Sequence, residues 1–246
     1  MVDGPPADTG AVTGQGGMSG EGALTRAFLL SGGLPKLIAE SMPEVRLTTD
    51  AERAASLRAM LDNRPEHGDG VWVFAYGSLI WNPAIHIAGR RHARATDWHR
   101  AFCLSTRMGR GTPENPGVML GLRPTGTCPG VVLRVAEDAL EQELDLLWRR
   151  EMVAEGYIPR WVPIEDADGA ALGAAIAFTI NPDQPSYCGD LPEAEIVRRL
   201  ATARGGLGTA AEYLFRTRDG LAEMGITDAF LERMAMLVTE QLDIPA

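Results

Sequence analysis

The spacing of apolar residues predicts strands in the middle of the chain and helices at both ends. Thr49 and Glu52 have the spacing of a capping box, which predicts a helix from there to about Asn63. From residue 71 onwards, apolar runs of strand length are separated by turns rich in Gly and Pro. The predicted strands cover residues 71–76, 85–98, 102–106, 118–122, 131–135, 161–164 and 171–180.

Helical periodicity returns in four later segments, at residues 137–153, 193–204, 209–216 and 228–242. Several strands, one central helix and a set of terminal helices are typical of an α+β fold. We therefore expect a small β-barrel or curled sheet flanked by helices.

The first 70 residues differ in composition from the rest of the chain. Residues 1–22 contain seven Gly and two Pro and almost no large apolar side chain, so we expect them to be disordered. Residues 23–70 form a predicted helical segment and linker, in which 23–30 could dock as a helix. The predicted core domain is 71–246.

Composition restricts the chemistry that the chain could support. Lys36 is the only lysine, and the four histidines are His67, His86, His92 and His99. A carboxylate is therefore the expected proton carrier of an enzyme with this sequence. The formal net charge of −10 argues against a nucleic-acid partner or an anionic membrane surface. Without a signal sequence or an apolar run of about 20 residues, the expected location is the cytoplasm.

Motifs for common cofactors and metals are missing. There is no GxGxxG, GxxxxGK[ST] or GxSxG, and Cys103, Cys128 and Cys188 form no CxxC pair. His92 and His99 lie in a segment that reads as extended, so a metal site there is disfavoured. Cys103 follows an apolar strand pattern and is read as a core residue rather than a nucleophile. We expect no cofactor and no metal.

A strand-to-turn junction is the first candidate for ligand binding. The junction consists of Phe74, Ala75, Tyr76, Gly77, Ser78 and Leu79. Glycine lets backbone approach a ligand closely, and successive N–H groups of such a turn can bind a carboxylate or an oxyanion. The alternative is an ordinary strand exit.

Glu151 is the candidate proton carrier. In the helix predicted at 137–153, Leu140, Leu144, Leu147 and Trp148 form an apolar stripe that Glu151 continues, whereas Glu141 and Glu143 fall off its centre. A carboxylate directed towards a core has a raised pKa and suits proton transfer. Alternatively, Glu151 could pair with a neighbouring arginine or lie at a frayed helix end. Glu155 is the second candidate, weakened by Gly156.

Four separated segments match one family in the same order: FAYGSLIWNP, FCLSTRMGRGTPENPGVMLGL, LEQELDLLWRREMVAEGYIPRW and AEYLF. They resemble the ChaC family of γ-glutamylcyclotransferases, most closely its bacterial branch, over about residues 71–240. The resemblance implies a small β-barrel with flanking helices. It also implies cleavage of the γ-glutamyl bond of glutathione, which gives 5-oxoproline and Cys-Gly.

The resemblance assigns roles to particular residues. Glu151 falls on the family's catalytic glutamate, and Tyr76, Gly77, Ser78 and Leu79 fall on its substrate-binding loop. Tyr157 matches the aromatic residue that follows the glutamate element, while Tyr187 and Tyr213 match later tyrosines. The substrate could instead be another γ-glutamyl amide or amino acid. A non-catalytic regulator of cation transport is the alternative from a different class, and the oligomeric state is left open.

Overall fold

Five strands close into a barrel in the order β1-β3-β2-β4-β5 in the computed structural model, which describes residues 24–65 and 70–243. The segment 1–22, expected to be disordered, lies outside these residues. The strands are β1 (Trp72–Ala75), β2 (Ile87–Thr106), β3 (Gly117–Val135), β4 (Tyr157–Glu165) and β5 (Ala171–Ile180). The predicted α+β class with a small, helix-flanked barrel is confirmed.

Neighbouring strands of the barrel are antiparallel except where it closes. There β1 runs parallel to β5, with Val73 opposite Ile176. On its other side β1 pairs antiparallel with β3, and Trp72 lies opposite Arg134. All four residues of β1 are buried. The turn that follows the strand therefore begins, at Tyr76, in the interior of the fold.

The β2–β3 hairpin is longer than the sequence predicts. Residues 85–98 and 102–106 were expected as two strands, and 123–130 as a turn, yet each side forms one continuous strand. A bulge between Thr96 and Trp98 lies opposite Thr125 and Gly126, both at positive φ. Because the bulge accommodates these two left-handed residues as a shift in register, strand pairing continues on both sides of the Gly and Pro of this segment.

Seven helices surround the barrel within the described residues. Three precede it: α1 (Arg26–Leu30), α2 (Gly33–Ser41) and α3 (Asp50–Asp62). One, α4 (Leu140–Glu151), links β3 to β4. Three follow: α5 (Glu193–Thr202), α6 (Ala210–Ala222) and α7 (Ala229–Leu242), with a short hairpin of β6 (Arg204–Gly205) and β7 (Gly208–Thr209) between α5 and α6. None of these helices is both long and apolar enough to cross a membrane.

The capping box at the start of α3 is confirmed. The Thr49 hydroxyl accepts a hydrogen bond from the Glu52 amide at 3.2 Å, and the Glu52 carboxylate accepts one from the Thr49 amide at 2.7 Å. The Met60 carbonyl of α3 accepts a hydrogen bond from the Trp161 indole at 2.9 Å, which fastens this helix to the barrel. The boundaries proposed for 23–70 and 71–246 stay a prediction.

Helix α4 presents Glu151 at its last turn. The predicted stripe is confirmed, because Leu144, Leu147 and Trp148 are fully buried. The Trp148 ring meets Phe178 of β5 edge to face at 5.2 Å, so the C-terminal turn of the helix is held against the barrel wall. The helix ends at Glu151 rather than at the predicted residue 153.

Candidate active site

A small pocket opens where the end of β1 meets α4. Its walls come from six separate parts of the chain: the turn after β1, three strands, α4 and α6. The lining residues are Tyr76, Gly77, Ser78, Leu79, Leu120, Glu151, Tyr157, Phe178 and Tyr213. One acidic side chain is thus combined with three tyrosines and a backbone turn.

The turn after β1 has a tight, hydrogen-bonded backbone. Within it the Ile80 amide donates to the Gly77 carbonyl at 3.0 Å, and the Asn82 amide donates to the Ser78 carbonyl at 2.8 Å. A Cβ atom at Gly77 would lie 2.7 Å from the Tyr213 hydroxyl, closer than packing allows. Any larger residue would force the Tyr213 ring to shift, so glycine is what lets the turn and Tyr213 lie this close.

Glu151 is the carboxyl group of the pocket, and its side chain is 13% exposed. Burial raises its pKa, and the adjacent Arg150 guanidinium opposes that rise only in part. The Nε atom of Arg150 lies 2.7 Å from the Oε1 atom of Glu151. A carboxyl whose pKa is shifted upwards in this way can both accept and return a proton near neutral pH.

Three buried tyrosines surround the carboxyl. The Tyr76 hydroxyl donates to the Phe178 carbonyl at 2.5 Å, and the Tyr157 hydroxyl donates to the Leu120 carbonyl at 3.0 Å. Burial raises the pKa of Tyr76, Tyr157 and Tyr213. The tyrosines therefore remain neutral, and Glu151 is the pocket residue suited to carry a proton.

The structure brings together most of the residues singled out in the sequence. Tyr76, Gly77, Ser78, Leu79, Glu151 and Tyr157 all line the pocket. Phe74 and Ala75 are fully buried in β1 and do not line it. Tyr187 also lies outside the lining, with its ring 5.7 Å from the Arg123 guanidinium. The second candidate, Glu155, is 43% exposed and paired with Arg46.

Three lining residues were not among the predicted site residues. Leu120 and Phe178 contribute carbonyl groups and apolar walls from β3 and β5. No local signal separates them from other buried strand residues, since both lie within apolar runs. Tyr213 was matched to a later tyrosine of the family through the AEYLF segment, but it was not placed among the substrate-binding residues.

A cysteine nucleophile and a metal site are the alternatives to a carboxyl. Cys103 is completely buried, and burial raises its pKa to about 12, which confirms its reading as a core residue. Within residues 24–65 and 70–243, no group of three or more His, Cys, Asp or Glu side chains could hold a metal ion. The chemistry that this pocket offers is proton transfer by a carboxyl next to hydrogen-bond donors.

Comparison with known proteins identifies the family. A family model described as ChaC-like protein matches residues 71–241. The chain belongs to the ChaC-like family. It is 41% identical over 219 residues to the glutathione-specific γ-glutamylcyclotransferase of Escherichia coli K12, a match that covers 89% of this chain and 94% of that protein. It is 32% identical over 183 residues to the γ-glutamylcyclotransferase 2-1 of Arabidopsis thaliana, covering 71% and 85%.

A solved structure supports the fold. The crystal structure of a yeast γ-glutamylcyclotransferase specific to glutathione aligns with a TM-score of 0.64 at 22% identity. The alignment covers 70% of this chain and 97% of the yeast chain. The ChaC-like family and the barrel with flanking helices therefore agree with the predictions made from the sequence.

Proposed function

We propose that the protein is a γ-glutamylcyclotransferase that converts glutathione into 5-oxoproline and Cys-Gly. The observation that carries the proposal is the position of Glu151, a carboxyl with a raised pKa in the same pocket as the turn from Tyr76 to Leu79. Similarity over 89% of the chain to a relative named as specific for glutathione supports the choice of substrate.

The reaction needs no nucleophile from the enzyme. The α-amine of the γ-glutamyl group attacks the γ-carbonyl carbon and closes a five-membered ring, while the amide bond to the cysteine nitrogen breaks. Holding the substrate in the folded conformation replaces a bimolecular encounter by an intramolecular one. The absence of an ionised cysteine or a histidine from the pocket lining is compatible with this mechanism.

Glu151 moves the proton in the proposed mechanism. The α-amine arrives as an ammonium group and must lose a proton before it can attack. Glu151 accepts this proton as a general base and donates it to the departing cysteine nitrogen as a general acid. The ring nitrogen then loses its second proton by the same route, so that the lactam keeps one N–H and Cys-Gly leaves as an ammonium. Because burial raises its pKa, the carboxyl is a better base than an exposed glutamate and still returns the proton.

The turn after β1 holds the negative charges of the substrate. Gly77, Ser78 and Leu79 line the pocket. Their backbone N–H groups are the proposed ligands of the α-carboxylate or of the oxyanion that develops on the γ-carbonyl. The neutral rings of Tyr157 and Tyr213 close the pocket beside the carboxyl and keep water from competing with the substrate.

The proposal extends to the cofactor, the partner and the compartment of the enzyme. The reaction requires no cofactor, and glutathione is the proposed small-molecule partner. We place the enzyme in the cytoplasm, a reducing compartment, since Cys103, Cys128 and Cys188 are all free thiols. The net charge of −10 argues against nucleic acid as a partner.

A substrate panel tests this function. The purified full chain is incubated with glutathione, γ-glutamylcysteine and γ-glutamylalanine, and 5-oxoproline is measured by chromatography. We expect glutathione to be turned over with the highest kcat/KM. Faster release from a γ-glutamyl amino acid would replace the proposed substrate. Binding of glutathione without 5-oxoproline would contradict the enzymatic proposal and favour a regulatory protein.

A further inference from the structure

The residue before Glu151 connects both halves of the pocket. We propose that Arg150 is a positioning residue that fixes the substrate-binding turn after β1 and the proton-carrying carboxyl relative to each other. This inference rests on the proposed cyclotransferase reaction. It assigns a function to a buried cation that does not line the pocket.

Arg150 holds the turn after β1 at both of its ends. Its side chain is 3% exposed. The Nη2 atom donates to the Ser78 hydroxyl at 2.8 Å, and the Nη1 atom donates to the Asn82 carbonyl. Ser78 and Asn82 are also joined by their own backbone hydrogen bond. One planar guanidinium therefore spans the turn whose N–H groups are proposed to hold the substrate.

The third nitrogen of the same guanidinium lies beside the proton carrier. Arg150 Nε is 2.7 Å from Glu151 Oε1, yet this buried nitrogen has no hydrogen-bond partner of good geometry among the described residues. The contact is therefore chiefly Coulombic. Arg150 lowers the pKa that burial has raised, mainly through its charge.

The other groups that face Glu151 do not duplicate this function. Tyr76 at the end of β1, Tyr157 on β4 and Tyr213 on α6 interact electrostatically with the carboxyl. All three are neutral, because burial raises the pKa of each phenol. Among the described residues, Arg150 is the cation in contact with Glu151. The charge of Arg150 should therefore affect the pH profile, and its hydrogen bonds should affect the KM, as two separable effects.

Two substitutions separate these effects. Arg150→Gln removes the charge, whereas Arg150→Lys keeps it but cannot reach Ser78 and Asn82 together. For Arg150→Gln, we expect the acid limb of kcat/KM to move up by about one pH unit, because the pKa of Glu151 rises once the cation is lost. For Arg150→Lys, the limb should stay in place while the KM for glutathione rises about tenfold, as expected for the loss of one charged hydrogen bond.

Arg149→Gln is the matched control. Arg149 lies on the same helix turn, but it is 39% exposed and its ion pair among the described residues is with Asp145, so its loss should leave both KM and the pH profile unchanged. Thermal melts report whether each variant folds. If Arg150→Gln does not fold, Arg150→Lys decides the question through its KM.

The proposal is overturned if folded Arg150→Gln loses rate equally at every pH with an unmoved acid limb. It is also overturned if Arg150→Lys keeps the wild-type KM. These failures differ from failure of the proposed function, because that would be seen as no 5-oxoproline from wild-type protein.

Discussion

Glu143 and Glu151 lie on the same helix, eight residues apart, and both are turned away from solvent. The side chain of Glu143 is only 1% exposed, and that of Glu151 is 13% exposed. Glu143 accepts two hydrogen bonds from Arg26, at 2.5 and 2.7 Å, and one from the His86 amide at 2.8 Å. Glu151 has a single ionic contact with Arg150.

The carboxyl with the smaller exposed fraction has the lower pKa. Burial would raise the pKa of Glu143, but the Arg26 guanidinium and the His86 amide outweigh it and hold the pKa below its ordinary value. For Glu151, burial outweighs Arg150, and the pKa is raised. Burial by itself therefore does not select a proton carrier. Glu151 differs in two ways: it lies deeper in the fold, where desolvation is greater, and it has no set of aligned donors like that of Glu143.

Glu151→Gln should produce the largest effect, a fall in kcat/KM for glutathione of about 10²–10⁴-fold. The amide retains the shape of the side chain but cannot accept the substrate proton. The thermal midpoint should not fall, because a neutral group suits this desolvated position. The measurement is 5-oxoproline release together with a thermal melt of the same sample.

Two controls accompany Glu151→Gln. The exposed Glu155 should tolerate the same substitution with unchanged activity, and Glu143→Gln should leave the kcat of the folded enzyme close to that of wild type. A folded Glu151→Gln enzyme with full activity would falsify the assignment of the proton carrier.

The second effect is on stability. Glu143→Gln should lower the free energy of unfolding by about 1–3 kcal/mol. A neutral amide no longer accepts both Arg26 nitrogens, and its own N–H group would oppose the His86 amide. Chemical denaturation of both proteins at neutral pH measures the difference. A variant as stable as wild type would mean that the Arg26–Glu143 pair contributes nothing net to the fold.

The pH dependence of that difference has a definite sign. Because the folded-state pKa of Glu143 is depressed, its stabilisation is present above the unfolded pKa of about 4.3 and is lost as the pH falls through the folded value. The gap between wild type and Glu143→Gln should thus be constant at neutral pH and shrink in acid. Glu151→Gln should show the opposite trend, gaining relative stability as the pH rises, because the raised pKa of Glu151 makes its ionisation unfavourable to folding.

Only one side of the contrast between these two carboxyls could be predicted from the sequence. Helical periodicity directed Glu151 towards the core and placed Glu143 off the centre of the apolar stripe, but it did not predict that Glu143 is buried as well. Glu143 is buried because Arg26, 117 residues earlier in the chain, packs across it. A periodic pattern within one helix carries no information about which distant segment covers its other side.

The same limit applies to the barrel and to the pocket. The strands and the turn at Tyr76–Leu79 follow from local alternation and from glycine. The continuous β2–β3 hairpin was missed because a bulge accommodates residues that normally signal a turn. Leu120 and Phe178 enter the pocket through strand register, which depends on pairing between distant segments. The family resemblance supplied the roles that periodicity could not assign.

Arg26→Gln is the smallest change and the most direct test of the comparison, since it should make the environment of Glu143 resemble that of Glu151. With the guanidinium gone, the His86 amide alone cannot offset burial, so the pKa of Glu143 should rise. Arg26 is itself 32% exposed, so we expect a loss of only about 1 kcal/mol in unfolding free energy. Carboxyl ¹³C NMR titration of glutamate-labelled protein follows the pKa, with the exposed Arg46→Gln as control.

If Glu143 titrates in Arg26→Gln as it does in wild type, the donors are not what separates the two carboxyls. If its pKa rises while 5-oxoproline release is unchanged, a raised pKa alone does not make a carboxyl catalytic, and the position beside the Tyr76–Leu79 turn is the second requirement that only Glu151 meets.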